Sequence, residues 1–485
     1  MLDIYKYLPV KKEELSKFLV ISSMMILIIF IYSTQRIVKD TIVVSYMGAE
    51  LISAIKLYGV LPSAILITLV YMKLSSILNK TTLFHLFNLF FVSYFVGFTF
   101  VIFPNIESFQ LDFSVISSQF PVFRFFFIML ENWTYSLYYI FSELWGSVML
   151  ALIFWHTANQ VFQIKEAKRI YPLFGLVGQI GMLMSGKLTG MFTDPKYMVN
   201  GWQESLNYIN SSVAIGGVVL SILFWTLANV LVPSSIINAE TQKKKSKIGF
   251  FEGLKYVFKS KYIGLITVLV LCYGCSINLV EGVWKAQARV VYPNPQDYAG
   301  FMSHLQTYTG LVCMVAMLTG SYIMSIITWR TAALLTPIIM VVTGGVFFAF
   351  SIYQVEVMDA LPFLTTAPIV VAVYAGLIQN ILSKATKYAF FDATKEMAYI
   401  PLDEALKSKG KAAADVIGGR LGKSGGAIIQ QGMLAVIPGA TLVSLSPSLF
   451  GIFLVMMVVW FIAVFVLAKE FNKISGQEKA APSNK

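Results

Sequence analysis

Charge is scarce in this chain. Only 13% of its 485 residues are Asp, Glu, Lys or Arg, while 57% are apolar, and the mean hydropathy is +0.72. A soluble fold of this size needs far more charge to cover its surface, so that class is excluded. Cysteine is scarcer still. Cys272, Cys275 and Cys313 all lie within apolar stretches, which implies no disulfide framework. Cys272 and Cys275 have C-x-x-C spacing but no second ligand pair, so they read as buried thiols rather than a metal or redox centre. The three histidines, His85, His156 and His304, are scattered, and no clustered catalytic group is expected. Basic residues outnumber acidic ones, 37 to 25, for a net charge of +12. They fall in loops between apolar runs, which is a membrane pattern and not a nucleic-acid surface. The start, Met1 to Lys17, is polar and lysine-bearing, without the character of a cleavable signal or a transit peptide. No cofactor and no metal are expected.

Long apolar runs are what the chain does have. They cover Phe18–Thr34, Ile55–Met72, Leu83–Phe103, Trp133–Trp155, Ile170–Gly190 and Ser212–Val232. A second set covers Tyr262–Val280, Leu305–Ile327, Thr331–Ile352, Phe363–Leu382, Ala412–Ile437 and Leu449–Leu467. Each approaches the ~17–25 residues that a helix needs to cross a bilayer. Helices are the form expected, because lipid offers no partner to an open backbone. With twelve spans both termini lie on one side. The termini and the loops after even-numbered spans carry 27 Lys and Arg, and the loops after odd-numbered spans carry five. The positive-inside rule then predicts cytoplasmic termini.

The most basic loop is central and contains Lys243-Lys244-Lys245-Ser246-Lys247. The expected organisation is an N-terminal six-helix half over 1–232, a basic cytoplasmic linker over 233–261, and a C-terminal six-helix half with a cytoplasmic tail over 262–485. This is an all-α polytopic membrane protein of about twelve helices in a major-facilitator-like layout.

Ionisable groups inside spans are the candidate functional residues. A charge at the bilayer centre costs at least ~2.5 kcal/mol on insertion scales, so it persists where it faces protein or water. Lys56 begins the second run, and Lys423 sits in the eleventh within Gly422-Lys423-Ser424-Gly425-Gly426. Glu143 lies in the fourth and Glu281 ends the seventh. Lys187 and Arg420 are weaker candidates, and Arg124 reads as part of an interfacial helix. The run Gly418–Gly426 ends in Gly-Lys-Ser like a phosphate-binding P-loop. However, Ile417 stands where that motif needs its first glycine, and no strand precedes it. Close helix packing through small residues and a thin helix face exposing Lys423 and Arg420 to an anion are the two readings that fit.

The stretch Phe391-Asp392-Ala393-Thr394-Lys395-Glu396-Met397-Ala398-Tyr399-Ile400-Pro401-Leu402-Asp403 is followed by Lys409-Gly410-Lys411-Ala412-Ala413 and by Gly422–Gly426. Together these resemble the nucleotide transporter family, the ATP/ADP translocases of obligate intracellular bacteria and plastid envelopes. Ser142-Glu143-Leu144-Trp145-Gly146-Ser147, Phe154–Gln160, Glu166–Arg169 and Ile277–Lys285 agree, so the resemblance runs over nearly the whole chain.

The resemblance implies exchange of cytoplasmic ADP, with phosphate, for external ATP across a bacterial inner membrane. It matches the family's transport residues to Lys56, Glu143, Glu281 and Lys423, with Asn278 a further candidate in the same span-7 motif. Family members often read Leu-Arg-Asp-Thr-Lys-Asp after the first span. This chain reads Gln35-Arg36-Ile37-Val38-Lys39-Asp40, which makes Lys39 an additional candidate and bears on nucleotide choice. Alternatives within the family are a proton-coupled net importer and an exchanger of GTP, CTP or UTP. ATP and ADP are polyanions, so Lys56 and Lys423 are expected to hold their phosphates in a water-filled cavity, with Glu143 and Glu281 as counter-charges. The bilayer is the other partner, and a monomer is favoured.

Overall fold

A computed structural model describes residues 10–233, 260–360, 366–402, 410–411, 414 and 418–476. The basic run Lys243–Lys247 and most of the 233–261 segment lie outside the described residues, as do Asp403, Lys409, Ala412 and Ala413. Among the described residues ten helices are long and apolar enough to cross a membrane. They are α1 Lys12–Tyr46, α2 Glu50–Ile77, α3 Lys80–Phe109, α4 Trp133–Val161, α6 Trp202–Leu231, α7 Lys261–Val291, α8 Pro295–Ile326, α9 Trp329–Ile352, α10 Pro368–Ala398 and α12 Ser446–Ser475. The other two runs are also helical, as α5 Ile164–Phe192 and α11 Gly419–Val436. Glycines and polar groups dilute their apolar character, which is why they fall outside the ten.

The helices turn apolar side chains outward. Leu66 on α2, Leu89 on α3, Ile215 on α6, Leu318 on α8 and Val455 on α12 are all exposed, an arrangement suited to lipid and costly in water. Several helices outrun the apolar runs that mark them. α1 continues past Lys39 to Tyr46, α7 past Glu281 and Lys285 to Val291, and α10 past Lys384 and Lys387 to Ala398. Lys39, Lys285, Lys384 and Lys387 therefore belong to helices and not to the loops where the hydropathy pattern puts them. That correction takes two lysines from each side of the charge count, so the asymmetry stands.

The chain divides into two compact units. Unit 1 comprises Met1–Leu51, Tyr58–Gln242 and Tyr292–Leu311; unit 2 comprises Ile52–Leu57, Lys243–Val291 and Val312–Lys485. In unit 1, α1 threads a polar network through an apolar core. Gln35 donates to Asn210 Oδ1 at 2.8 Å, Tyr138 donates to Gln35 Oε1 at 2.5 Å, and Asn210 donates to Thr99 Oγ1 at 2.6 Å.

In unit 2, small residues bring helices together. A Cβ on Gly274 of α7 would meet the Gly422 backbone at 2.8 Å, and one on Gly426 would meet Asn278 Cβ at 2.7 Å. The glycine run thus forms a close helix seam, one of the two roles its composition suggests. Gly376 of α10 makes a second seam, where an added Cβ would stand 2.1 Å from Trp284 Cδ1. Trp284 is fully buried and donates to the Val373 carbonyl at 2.8 Å, so the indole has little room to yield. Gly376→Ala is expected to destabilise by roughly 1–3 kcal/mol through overpacking, read as a lower thermal midpoint of the detergent-solubilised chain. An unchanged midpoint would show that the seam is slack.

Candidate functional site

Among the described residues, buried charge lies within the helices of both units. In unit 1, Lys39 of α1 lies one turn after Gln35 and is only 2% exposed. Its Nζ is 2.8 Å from Asp40 Oδ1 and 3.1 Å from Glu143 Oε1 of α4. It also sits 3.8 Å from the centre of the Tyr139 ring, whose π face attracts a cation. Helical spacing places Tyr139 and Glu143 one turn apart on α4, so both reach the same ammonium. A buried lysine flanked by two carboxylates and a ring is a charge that the fold has gone to some length to accommodate.

In unit 2, Lys56 donates to Asn278 Oδ1 at 2.6 Å. Asn278 is itself fixed, donating to the Gly274 carbonyl at 2.7 Å, while Gln430 of α11 donates to its carbonyl at 3.0 Å. Further along α7, Glu281 Oε1 lies 3.0 Å from Lys384 Nζ of α10, and its Oε2 lies 3.9 Å from Lys285 Nζ. One turn on from Lys384, Lys387 Nζ lies 2.6 Å from Asp392 Oδ2.

Backbone geometry marks these places. Lys56 lies within a π-helical segment, Ile55–Val60, and Lys387 opens another, Lys387–Phe391. Glu143 precedes a third, Gly146–Phe154, by three residues. Such wide turns re-aim side chains and recur at functional sites.

The sequence candidates fall out as follows. Lys56 and Asn278 are in direct contact, and Lys39 and Glu143 are in direct contact. Glu281 is present with two lysines that the sequence alone does not assign to it. Lys187 is exposed on α5. Arg420 and Lys423 lie in helix α11, but their side chains are outside the described residues. Lys285, Lys384, Lys387 and Asp392 are additions. The sequence signals for Lys285 are its place in the Ile277–Lys285 stretch and its i,i+4 spacing from Glu281. Chemically, unit 2 holds several ammoniums against carboxylates or an amide, and unit 1 holds one ammonium between two carboxylates; lysine is a compact charge that can grip and release an anion.

The chain is similar to known proteins over nearly its whole length. The chain is 40% identical to "ADP,ATP carrier protein 1" of Rickettsia typhi over 474 residues, covering 96% of this chain and 95% of the relative. It is 38% identical to "ADP,ATP carrier protein 3" of Rickettsia prowazekii over 485 residues, covering 96% of each. Among solved structures, a bacterial homologue of the iron transporter ferroportin in an inward-facing state matches at a TM-score of 0.59 and 11% identity, over 94% of this chain and 99% of that one. The nucleoside transporter NupG matches at 0.55 and 11%, over 94% and 98%. These likenesses show the fold, that of the major-facilitator-like transporters. The model of the TLC ATP/ADP transporter family matches residues 4–471. On that match and on the extent of the Rickettsia similarity, this chain belongs to the TLC ATP/ADP transporter family.

Proposed function

We propose that this chain exchanges ATP for ADP by alternating access, drawing external ATP into a bacterial cell across the inner membrane. The observation that carries the reading is the near full-length similarity to carriers of ADP and ATP, together with buried lysines held by carboxylates inside the helices. Four charged residues are the proposed transport residues: Lys56, Glu143, Glu281 and Lys423, with Asn278 aiding them. Lys39 joins them through its pair with Glu143, and Arg420 and Lys187 are secondary. The carboxylates would hold lysines in register and yield them when phosphates arrive. A ligand that changes the partners of buried charges favours reorientation through differential interaction with the two states.

The 1–232 and 262–485 segments act as two halves joined by a basic cytoplasmic segment, with both termini cytoplasmic. Phosphate accompanies ADP outward, and the carrier works as a monomer. A test is available in intact bacterial cells expressing the chain. Labelled ATP should accumulate in the cells, survive a protonophore, and leave on addition of external unlabelled ATP or ADP. Collapse of uptake under the protonophore would instead show net import by proton symport.

Lys423→Gln is expected to cut ATP uptake by about 10–100-fold, the loss of a charged hydrogen bond to phosphate, while the yield of folded protein stays at wild type. Uptake equal to wild type would remove Lys423 from the phosphate-binding set.

A further inference from the structure

We propose that Lys285, Lys384 and Asn380 form an oxyanion site for a phosphoryl group, with Glu281 as the counter-ion that this group displaces. The inference rests on the nucleotide reading above and deepens it.

The geometry is that of one carboxylate shared by two ammoniums. Lys384 approaches one oxygen of Glu281 and Lys285 approaches the other, and none of the three side chains is more than 12% exposed. Stability alone does not account for this. A buried ion pair is at best a weak stabiliser, and a second ammonium adds its own desolvation cost to the same carboxylate. One ammonium within hydrogen-bond distance of one oxygen, at 3.0 Å, and a second ammonium 3.9 Å from the other form a paired positive charge of the kind that the oxygens of a phosphoryl group accept.

A second observation points the same way. Asn380 lies one turn before Lys384, on the same side of α10. That side meets α7, because Gly376, a further turn back, packs on Trp284, and Trp284 follows Glu281 by three residues. Asn380 is fully buried. Its Nδ2 donates to the Gly376 carbonyl at 2.9 Å, but its Oδ1 has no hydrogen-bond partner among the described residues. A buried acceptor left unanswered is costly, and such atoms call for a functional account. Hydrogenphosphate supplies what is missing. Its bare oxygens accept from the lysines, and its P–OH donates to Asn380 Oδ1. Sulfate has the same shape but no proton to donate at neutral pH. The structure therefore assigns to Asn380 a preference for a protonated phosphoryl oxyanion over sulfate. The phosphoryl group could come from free phosphate, which carries a P–OH at neutral pH, or from the end of the nucleotide chain, which would answer Asn380 Oδ1 only when it takes up a proton.

The test uses the purified full-length chain in detergent and its thermal midpoint, which rises with any ligand that binds the folded state. Phosphate, sulfate, ADP, ATP and adenosine are titrated against wild type, Lys384→Gln and Asn380→Leu. Phosphate should act at concentrations at least ~10-fold below sulfate. Lys384→Gln should shift the phosphate and ADP titrations by about 10–100-fold and leave adenosine unmoved. Asn380→Leu should erase the preference for phosphate over sulfate, which a purely structural asparagine would leave intact.

If ADP responds in this way and phosphate alone does not bind, the nucleotide is the source of the phosphoryl group. Unchanged phosphate and ADP titrations in Lys384→Gln would overturn the site while leaving nucleotide exchange standing. Phosphate binding that is lost in Lys384→Gln, with no response to ADP or ATP in wild type, would keep the site and defeat the nucleotide reading. Should Lys384→Gln fail to fold, Glu281→Gln/Lys384→Gln removes both members of the pair, and its phosphate and ADP titrations decide in the same way.

Discussion

Lys39→Met is expected to destabilise the chain by about 3–5 kcal/mol, the cost of removing one member of a buried ion pair. The ammonium is 2% exposed and lies between Asp40 and Glu143, so its loss leaves two carboxylates close together without the cation that separates them. The Tyr139 ring, now facing a thioether, offers them nothing. The detergent-solubilised variant should show a much lower thermal midpoint and a poor folded yield. Adding Glu143→Gln should restore part of the midpoint by removing one of the two like charges. It should not restore transport, because Glu143 is itself a proposed transport residue. A wild-type midpoint for Lys39→Met would mean that the two carboxylates do not depend on Lys39.

Lys56→Gln should behave in the opposite manner, with a large loss of transport and little loss of fold. Lys56 is half-buried, less deeply placed than Lys39, and a glutamine amide can still donate to Asn278 Oδ1. The charged grip on phosphate is lost. Charged hydrogen bonds contribute about 1.5–3 kcal/mol, so ATP exchange at subsaturating ATP should fall by roughly 10–100-fold. Lys56→Arg should retain part of the rate, since the charge remains while the fork fits a compact amide less well. Equal rates for Lys56→Gln and wild type would take Lys56 out of the phosphate path.

Both residues show what a sequence can and cannot reveal. Lys56 stands out because it interrupts an apolar run, and lipid allows few such interruptions. Lys39, Lys285, Lys384 and Lys387 do not stand out by hydropathy, because each lies past the end of a run and reads as a loop charge. In the folded chain the helices continue past them, since carboxylates neutralise them: Glu281 and Asp392 close in sequence for Lys285 and Lys387, and distant partners for Lys39 and Lys384. Lys39 meets Glu143 more than a hundred residues away, and Lys384 meets Glu281 at a similar remove. Hydropathy is summed along the chain and cannot register compensation across it. The π-helical segments at Lys56, Glu143 and Lys387 are hidden for a related reason. A wide turn is selected by what packs around it, not by the composition of the five to nine residues that form it. The fold class itself was legible because the bilayer leaves so few alternatives. The glycine seam of α11 was legible as close packing, but its partner, α7, was not.

Labelled ATP uptake into proteoliposomes tests exchange most directly, with vesicles preloaded with ADP, with ADP plus phosphate, with GDP, or with buffer alone. An ATP-for-ADP exchanger gives rapid uptake that depends on internal ADP and little uptake into buffer-loaded vesicles. Equal uptake into ADP-loaded and buffer-loaded vesicles would contradict the exchange mechanism, and no ATP uptake under any loading would contradict the assignment of ATP as cargo.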